Sequence, residues 1–504
     1  MNQRGKRKQG LRWVAALISI ILLVSVLAAC SGIRIGEGAQ EEKRVLRIGT
    51  VYGDQFSGDS LRTEYTDLFE FTNDHIEIEF VSAIDYSVQR YAQTGKDMEN
   101  QPDPIEEMVK LMEGSNPPDV VFLEYSQLGE LIERNLLRPL DAYISEDEFD
   151  TSGFVPAVID GLKKAGNGTL YALAPTFTSS ALIYNRAIFD KVGANYPTDN
   201  MTWDQTFDLA RQVAHGEGAE RIFGFSFRTY RYSSLLEDFM IYAAPLELQM
   251  MDEAQEQMLV DSEPWRNAMT KLVELYEDNI IPDDQDMFME QNDENYKPGP
   301  FDHDLFLSGK VAMAVISHYQ LSEIISANEN AQNIEGFDGI QWDVVTLPVH
   351  PEYPNVGGFV EMNPIMAINA KAANPDDAWE LIKFVNGEDW AKLKSRSSYH
   401  LLSRGDYIQT IDGLDYNVGA FTQLIPAENP MIANRYNNEL YWRLQDIGNN
   451  KMYQVINGDM TVEQALQQWQ TEGNALLKAV KENPDKEIWE LMNEIMTQSM
   501  PMQE

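Results

Sequence analysis

An α/β architecture with a parallel sheet, divided over more than one core, is predicted for this chain by three observations. Strand-like and helix-like runs alternate from Val45 to Ile132, the rhythm of helices packed on parallel strands. The chain has 504 residues, more than a single core usually holds. It has one cysteine, Cys30, so stability has to come from burial and not from cross-links.

The elements follow in order. Val45–Tyr52 (VLRIGTVY) is a β-branched run that predicts a strand, and the GDQFSGD after it is turn-prone. Leu61 to Phe71 is helix-like. In IEIEFVSA, Ile76, Ile78 and Phe80 alternate with acids, the period of a half-buried strand. A helix is predicted over Pro104–Glu113, and NPPD stops it. Asp119–Leu123 (DVVFL) reads as a buried strand, and Leu128, Leu131 and Ile132 share one face of the next helix.

A second part begins near Tyr171. YALAPTFTSSALIYN is strand-like and broken by Pro175. Thr202 and Gln205 have capping-box spacing, with Trp203, Phe207 and Ala210 on the inner face of the helix they open. Val311–Ile316 and WDVVTLP are further strands, the latter stopped by Pro348. In NPDDAWELIKFVNGEDW, Ala378, Leu381, Ile382 and Val385 fall in helical register, with Asn386-Gly387 at the end. The last hundred residues are mostly helical by pattern, and one helix opens with a second capping box, Thr461 to Gln464.

Residues 1–29 have the layout of a secretory signal. Arg4, Lys6, Arg7, Lys8 and Arg12 form a basic start, Trp13–Leu27 is apolar, and Leu27-Ala28-Ala29 precedes Cys30. A retained transmembrane anchor is the competing reading, but it needs about twenty apolar residues, and this run is shorter. Leu27-Ala28-Ala29-Cys30 resembles a bacterial lipobox. That resemblance implies cleavage before Cys30 and a diacylglycerol on its thiol. Residues 30–43 are Gly-rich and charged and read as a tether.

The chain carries 39 basic and 80 acidic residues. With the five basic residues of the signal removed, 34 face 80, a net charge of −46 over the remaining 475 residues. Phosphate backbones are bound by releasing counterions to Lys and Arg, so nucleic acid is excluded as a partner. Anionic headgroups are equally disfavoured, which leaves membrane attachment to the acyl chain. The acidity itself speaks to solubility.

Signals for catalysis are few. There is no HExxH, P-loop or GxGxxG, and six scattered histidines have no metal-ligand spacing. GFSFR, Gly224–Arg228, begins like a nucleophile elbow but has Arg where the second Gly belongs. Asp283–Glu294 lacks the central glycine of a calcium loop and reads as a solvated loop. No cofactor or metal is implied.

In open α/β sheets ligands bind beyond the carboxyl ends of the strands. Two such ends, Tyr52-Gly53-Asp54 and Glu124-Tyr125-Ser126, each carry an aromatic ring and an acid. An ordinary polar loop is the equal alternative at both.

The segments, in this order, resemble the family 1 extracellular solute-binding proteins of the maltodextrin-binding type. The resemblance is carried by DVVFLEYSQLGELIERNLLRPLDAYI, by YALAPTFTSSALIYNRAIFDKVG followed by PTDNMTWDQTFDLAR, by GKVAMAVISHY, by LPVHPEYPNVGGFVEMNPIMAINAKAANPDDAWELIKFV and by INGDMTVEQALQQW. It implies a periplasmic-binding-protein-like fold: two α/β lobes joined by crossing hinge strands, with a helical C-terminal region. The crossings fall near Thr176–Ser180 and Val344–Pro348. Lobe 1 is expected over residues 44–177 and 348–400, and lobe 2 over 178–347 and 401–504. The implied function is that of a monomeric, lipid-anchored component of an ABC importer on the extracytoplasmic face of the cell membrane. It would clamp a small ligand, a sugar or oligosaccharide, by hinge closure and present it to the permease subunits. A ligand-sensing surface lipoprotein and a surface polysaccharide-degrading enzyme are the alternatives.

By position, the resemblance carries over these contacts. Asp54 and Glu124 would accept hydrogen bonds from hydroxyls, and Tyr52 and Tyr125 would stack on a pyranose. Thr178 sits at the crossing. Arg228 and Tyr230 hold the polar-aromatic place of lobe 2. His318 and Tyr319 replace the frequent Pro-Trp, keeping a ring and weakening the stacking inference. Gly357, Gly358 and Phe359 with Glu361 form a loop that closes over ligand, where glycine lets backbone approach. Sugar sites need these types: ring faces for C–H surfaces and planar polar groups for paired hydroxyls.

Overall fold

The computed structural model describes residues 43–87, 102–230, 235–252, 254–283, 299–357, 360–362, 364–396, 400–427, 439–484 and 486–499. The expected signal and Cys30, all but the last residue of the tether, Gly358, Phe359 and residues 284–294 of the acidic cluster lie outside them. Contacts distinguish a small unit, residues 43–45 with Glu70–Glu77, in which Arg44 N donates to His75 O at 2.8 Å. The large unit, Leu46–Phe69 and Ile78 onward, holds both lobes.

The first lobe is built on a five-stranded sheet of β1 (Arg44–Gly53), β2 (Ile76–Asp85), β3 (Val120–Leu123), β4 (Ala172–Leu173) and β10 (Ile365–Ile368). Its order is β2-β1-β3-β10-β4. β1 and β3 are parallel, Ile48 facing Val120, while β10 runs antiparallel with Ile365 facing Leu123. β3 and β10 are buried at every position, as central strands covered on both faces are. Asp119, buried at the start of β3, accepts from the backbone N–H of Arg47 (3.1 Å) and of Asn374 (2.7 Å). That ties β1 and the helix Pro375–Val385 to one carboxylate.

The second sheet is organised by β5 (Thr176–Asn185), with every partner antiparallel. Its first residues pair with β11 (Leu401–Leu402) and β9 (Val360–Glu361), Thr178 facing Glu361. Its later residues pair with β6 (Met313–Ser317) and β7 (Trp342–Thr346), Ser180 facing Ser317 and Asn185 facing Trp342. β5 is therefore a crossing strand. Two short strands, β8 (Val356–Gly357) and β12 (Ile425–Pro426), pair in parallel.

The core of the second lobe is one cluster that includes Trp203, Phe207, Phe225, Phe239, Trp265 and Trp469. The C-terminal helices Glu439–Ile456 and Val462–Glu482 close it. Gly448 permits their contact: a Cβ there would lie 2.5 Å from the Trp469 ring, whose Nε1–H donates to Leu444 O at 2.7 Å. Both expected capping boxes form, with Thr202 and Thr461 each accepting from the N–H three residues on at 3.2 Å.

The predicted elements are present with one correction. The turn-prone stretch after β1 is the helix Gln55–Leu61. Asp54 caps it, accepting from Ser57 N at 2.9 Å while Ser57 Oγ accepts from Asp54 N at 2.7 Å. Turn-forming residues here supply an N-cap, a role their propensities serve equally. A π-helical turn, Arg62–Thr66, then leads into the helix Asp67–Thr72.

Candidate ligand-binding cleft

The carboxyl ends of β1 and β3 lie side by side, and the antiparallel β10 brings its amino end to the same edge. Tyr52, Asp54, Glu124 and Glu361 are thereby collected at that edge. Tyr86, one residue beyond β2, stacks on Tyr52 with centroids 5.3 Å apart and planes 7° from parallel. Removal from water raises the Tyr86 phenol pKa, and the carboxylates of Glu124 and Asp54 raise it further. Glu124 is raised by burial. Partial removal from water and the nearby Glu124 carboxylate raise the Glu361 pKa. These mutual effects place Tyr86, Asp54, Glu124 and Glu361 in one electrostatic neighbourhood.

Thr178 joins this group through its pairing with Glu361, and its Oγ1 lies 3.4 Å from His400 Nδ1. Two residues along β5, Ser180 Oγ lies 3.1 Å from Ser317 Oγ at the carboxyl end of β6. The second lobe's candidates surround that end. Tyr230 is exposed, and its hydroxyl donates to Glu323 at 3.1 Å. Tyr319 is exposed in the turn His318–Gln320 that follows β6. The Arg228 guanidinium pairs with Glu237 at 2.7 Å and with the buried Asp238 at 3.5 Å. Arg228 is thus balanced by acids of its own lobe.

Other candidates have structural partners. Tyr125 donates its hydroxyl to Gly161 O at 2.9 Å, toward the helix Pro156–Ala165. His318 is buried, edge-on to Phe421 at 5.1 Å and with Nε2 3.3 Å from the Tyr416 hydroxyl. Burial pulls its imidazole down to about 4. Gly357 packs on Leu424, where a Cβ would come within 2.8 Å.

Sequence reasoning missed Tyr86, His400 and the Ser180–Ser317 pair. Tyr86 carried a usable signal: an aromatic three residues beyond the predicted strand IEIEFVSA, close to the rule that selected Tyr52. His400 carried none. Among the described residues no group of three or more His, Cys, Asp or Glu could hold a metal ion, and no helix is long and apolar enough to cross a membrane.

Two α/β lobes thus share β5, and the polar and aromatic candidates lie near the stretch where it passes between them. The profile of bacterial extracellular solute-binding proteins matches residues 76–392. The chain belongs to that family, whose members are extracytoplasmic solute-binding components of ABC transporters. A protein of Brucella abortus (strain 2308), described by its name as a binding protein, is 21% identical over 367 residues, 71% of this chain and 80% of its own. Among solved structures, a Rhizobium etli sugar transporter in an open conformation aligns with a TM-score of 0.57 at 17% identity, covering 86% of this chain and 99% of its own. The sugar-binding protein MalE of Xanthomonas citri aligns with a TM-score of 0.54 at 16% identity, covering 88% and 100%. At these identities the likeness is one of fold.

Proposed function

We propose that this protein captures a saccharide between its lobes and delivers it to the permease subunits of an ABC importer, without turning it over. The observation that carries this reading is the divided pairing of β5. Thr178 pairs with Glu361 of one lobe, and Ser180, two residues later, with Ser317 of the other. Candidate contacts from both lobes thus flank one short stretch of strand. A ligand touching both sides favours the closed arrangement over the open one, which is the condition for hinge closure.

The saccharide assignment rests on the chemistry of the edge. Tyr52 and Tyr86 offer ring faces, and Asp54, Glu124 and Glu361 offer acceptors for paired hydroxyls. The lobes divide along β5, between Thr178 and Ser180, and again near residue 347. Residues 1–29 act as the signal, and Cys30 carries the lipid that holds a monomer on the extracytoplasmic face of the membrane.

Thermal-shift titration of the chain from Ser31 onward against mono- and oligosaccharides tests the reading. A bound sugar raises the melting temperature by mass action, equivalent to about 2.7 kcal/mol at a hundredfold excess over Kd. The Tyr52→Ala and Glu124→Ala variants lose that shift. A panel without any shift contradicts the assignment.

A further inference from the structure

The charge carried by the ligand is constrained by how each charged group along the cleft is compensated, a deduction that rests on the saccharide reading above. At the first-lobe edge, the register places Glu361 opposite Thr178, and Glu124 directly follows β3 beside β10. Neither carboxylate forms an ion pair among the described residues, and no basic side chain offsets either one's desolvation. The second lobe's candidate cation is already consumed. Arg228 lies between Glu237 and Asp238, and Asp238 also accepts from the Tyr276 hydroxyl at 3.1 Å. The groups described beside Tyr230 are acids: Glu323 accepts from its hydroxyl, and Asp304 bridges to its backbone. A ligand carboxylate would meet like charge at the first lobe, and at the second the candidate cation Arg228 is already paired. An ammonium group would meet two carboxylates beside the stacked faces of Tyr52 and Tyr86, the surroundings that favour a cation.

We infer that Glu124 and Glu361 act as charge-selecting residues: the cleft accepts saccharides that are uncharged or bear an amine, and rejects those bearing a carboxylate. Glu361 is the more telling of the two, because it pairs with Thr178 where β5 passes from one lobe to the other.

Isothermal titration of the chain from Ser31 onward with α- and β-linked trimers of glucose, of glucosamine and of a uronic acid provides the test. The expected result is that the uronic trimer binds at least about tenfold more weakly than its neutral counterpart, since like charges across an interface are strongly disfavoured. The gap narrows in Glu361→Gln, reverses in Glu361→Lys and shrinks at high salt, where exposed charges are screened. Glu124→Gln supplies the same comparison should a Glu361 variant not fold, as judged by its melting curve. Uronic trimers binding as tightly as neutral ones overturn the inference while leaving the saccharide reading in place. So does a gap that folded Glu361 and Glu124 variants leave unchanged. Absence of binding by every trimer overturns the saccharide reading and this inference with it.

Discussion

Ser180 on β5 and Ser317 on β6 face each other in register, their Oγ atoms 3.1 Å apart. Thr178, two residues earlier, faces Glu361 on β9. The hydroxyl pair therefore marks the point where β5 passes from one lobe to the other. Ser180 is buried, so its hydroxyl gains little from water when the partner is removed. Ser180→Ala is expected to cost about 1 kcal/mol. A double-mutant cycle with Ser317→Ala should return a coupling of about 0.5 kcal/mol or more. Urea denaturation of the four proteins measures it.

His318 gives a pH dependence. Burial lowers its imidazole from 6.5 to about 4 in the folded chain. The unfolded chain then takes up a proton first as pH falls. The His318 contribution is intact above about 6.5 and lost as pH drops toward 4, by about 3 kcal/mol in all. His318→Leu should remove that part of the slope from a stability-versus-pH curve. An unchanged slope would mean that the ring is more hydrated than its packing against Phe421 and Tyr416 implies.

Lys451 and Glu472 form an ion pair at 2.7 Å between the C-terminal helices, with side chains only 10% and 7% exposed. Removing one partner strands a buried charge. Glu472→Ala is expected to destabilise by roughly 3–5 kcal/mol, whereas replacing both by apolar residues of similar volume should be nearly neutral. Thermal unfolding of the single and double variants separates the two cases.

Two helical glycines should respond in opposite directions to alanine. At Gly448 the new Cβ meets the Trp469 ring at 2.5 Å, and overpacking there is expected to cost about 1–3 kcal/mol. At Gly129, within the helix Tyr125–Glu133, nothing lies within 4 Å, and alanine should add about 0.5–1 kcal/mol through helix propensity. Melting temperatures of the two variants should move apart.

Much of the fold was legible because its signals are local. Helices whose ends carry their own caps, such as those opened by Thr202 and Thr461, were located to the residue. The buried strand β3 announces itself through an unbroken apolar run, Val120–Leu123, between Asp119 and Glu124. The helix after β1 was not, because Asp54, Ser57 and Gly58 serve a turn and a helix start equally well. The candidate site was legible only where it follows strand ends, as at Tyr52 and Glu124. Thr178 and Glu361 became neighbours through a register between strands almost two hundred residues apart in sequence. Partners such as His400 for Thr178 and Tyr416 for His318 depend on the same long-range packing. No periodicity or spacing records it.

The central claim is that the two lobes close over a saccharide by bending where β5 crosses between them. Spin labels at Ser60→Cys and Glu329→Cys, exposed positions in the first and second lobes, report that motion directly when Cys30 is replaced by serine. Pulsed electron–electron resonance with and without a saccharide found by thermal shift should show the distance shortening by several ångströms on binding. Saturating saccharide with an unchanged distance distribution would contradict the account.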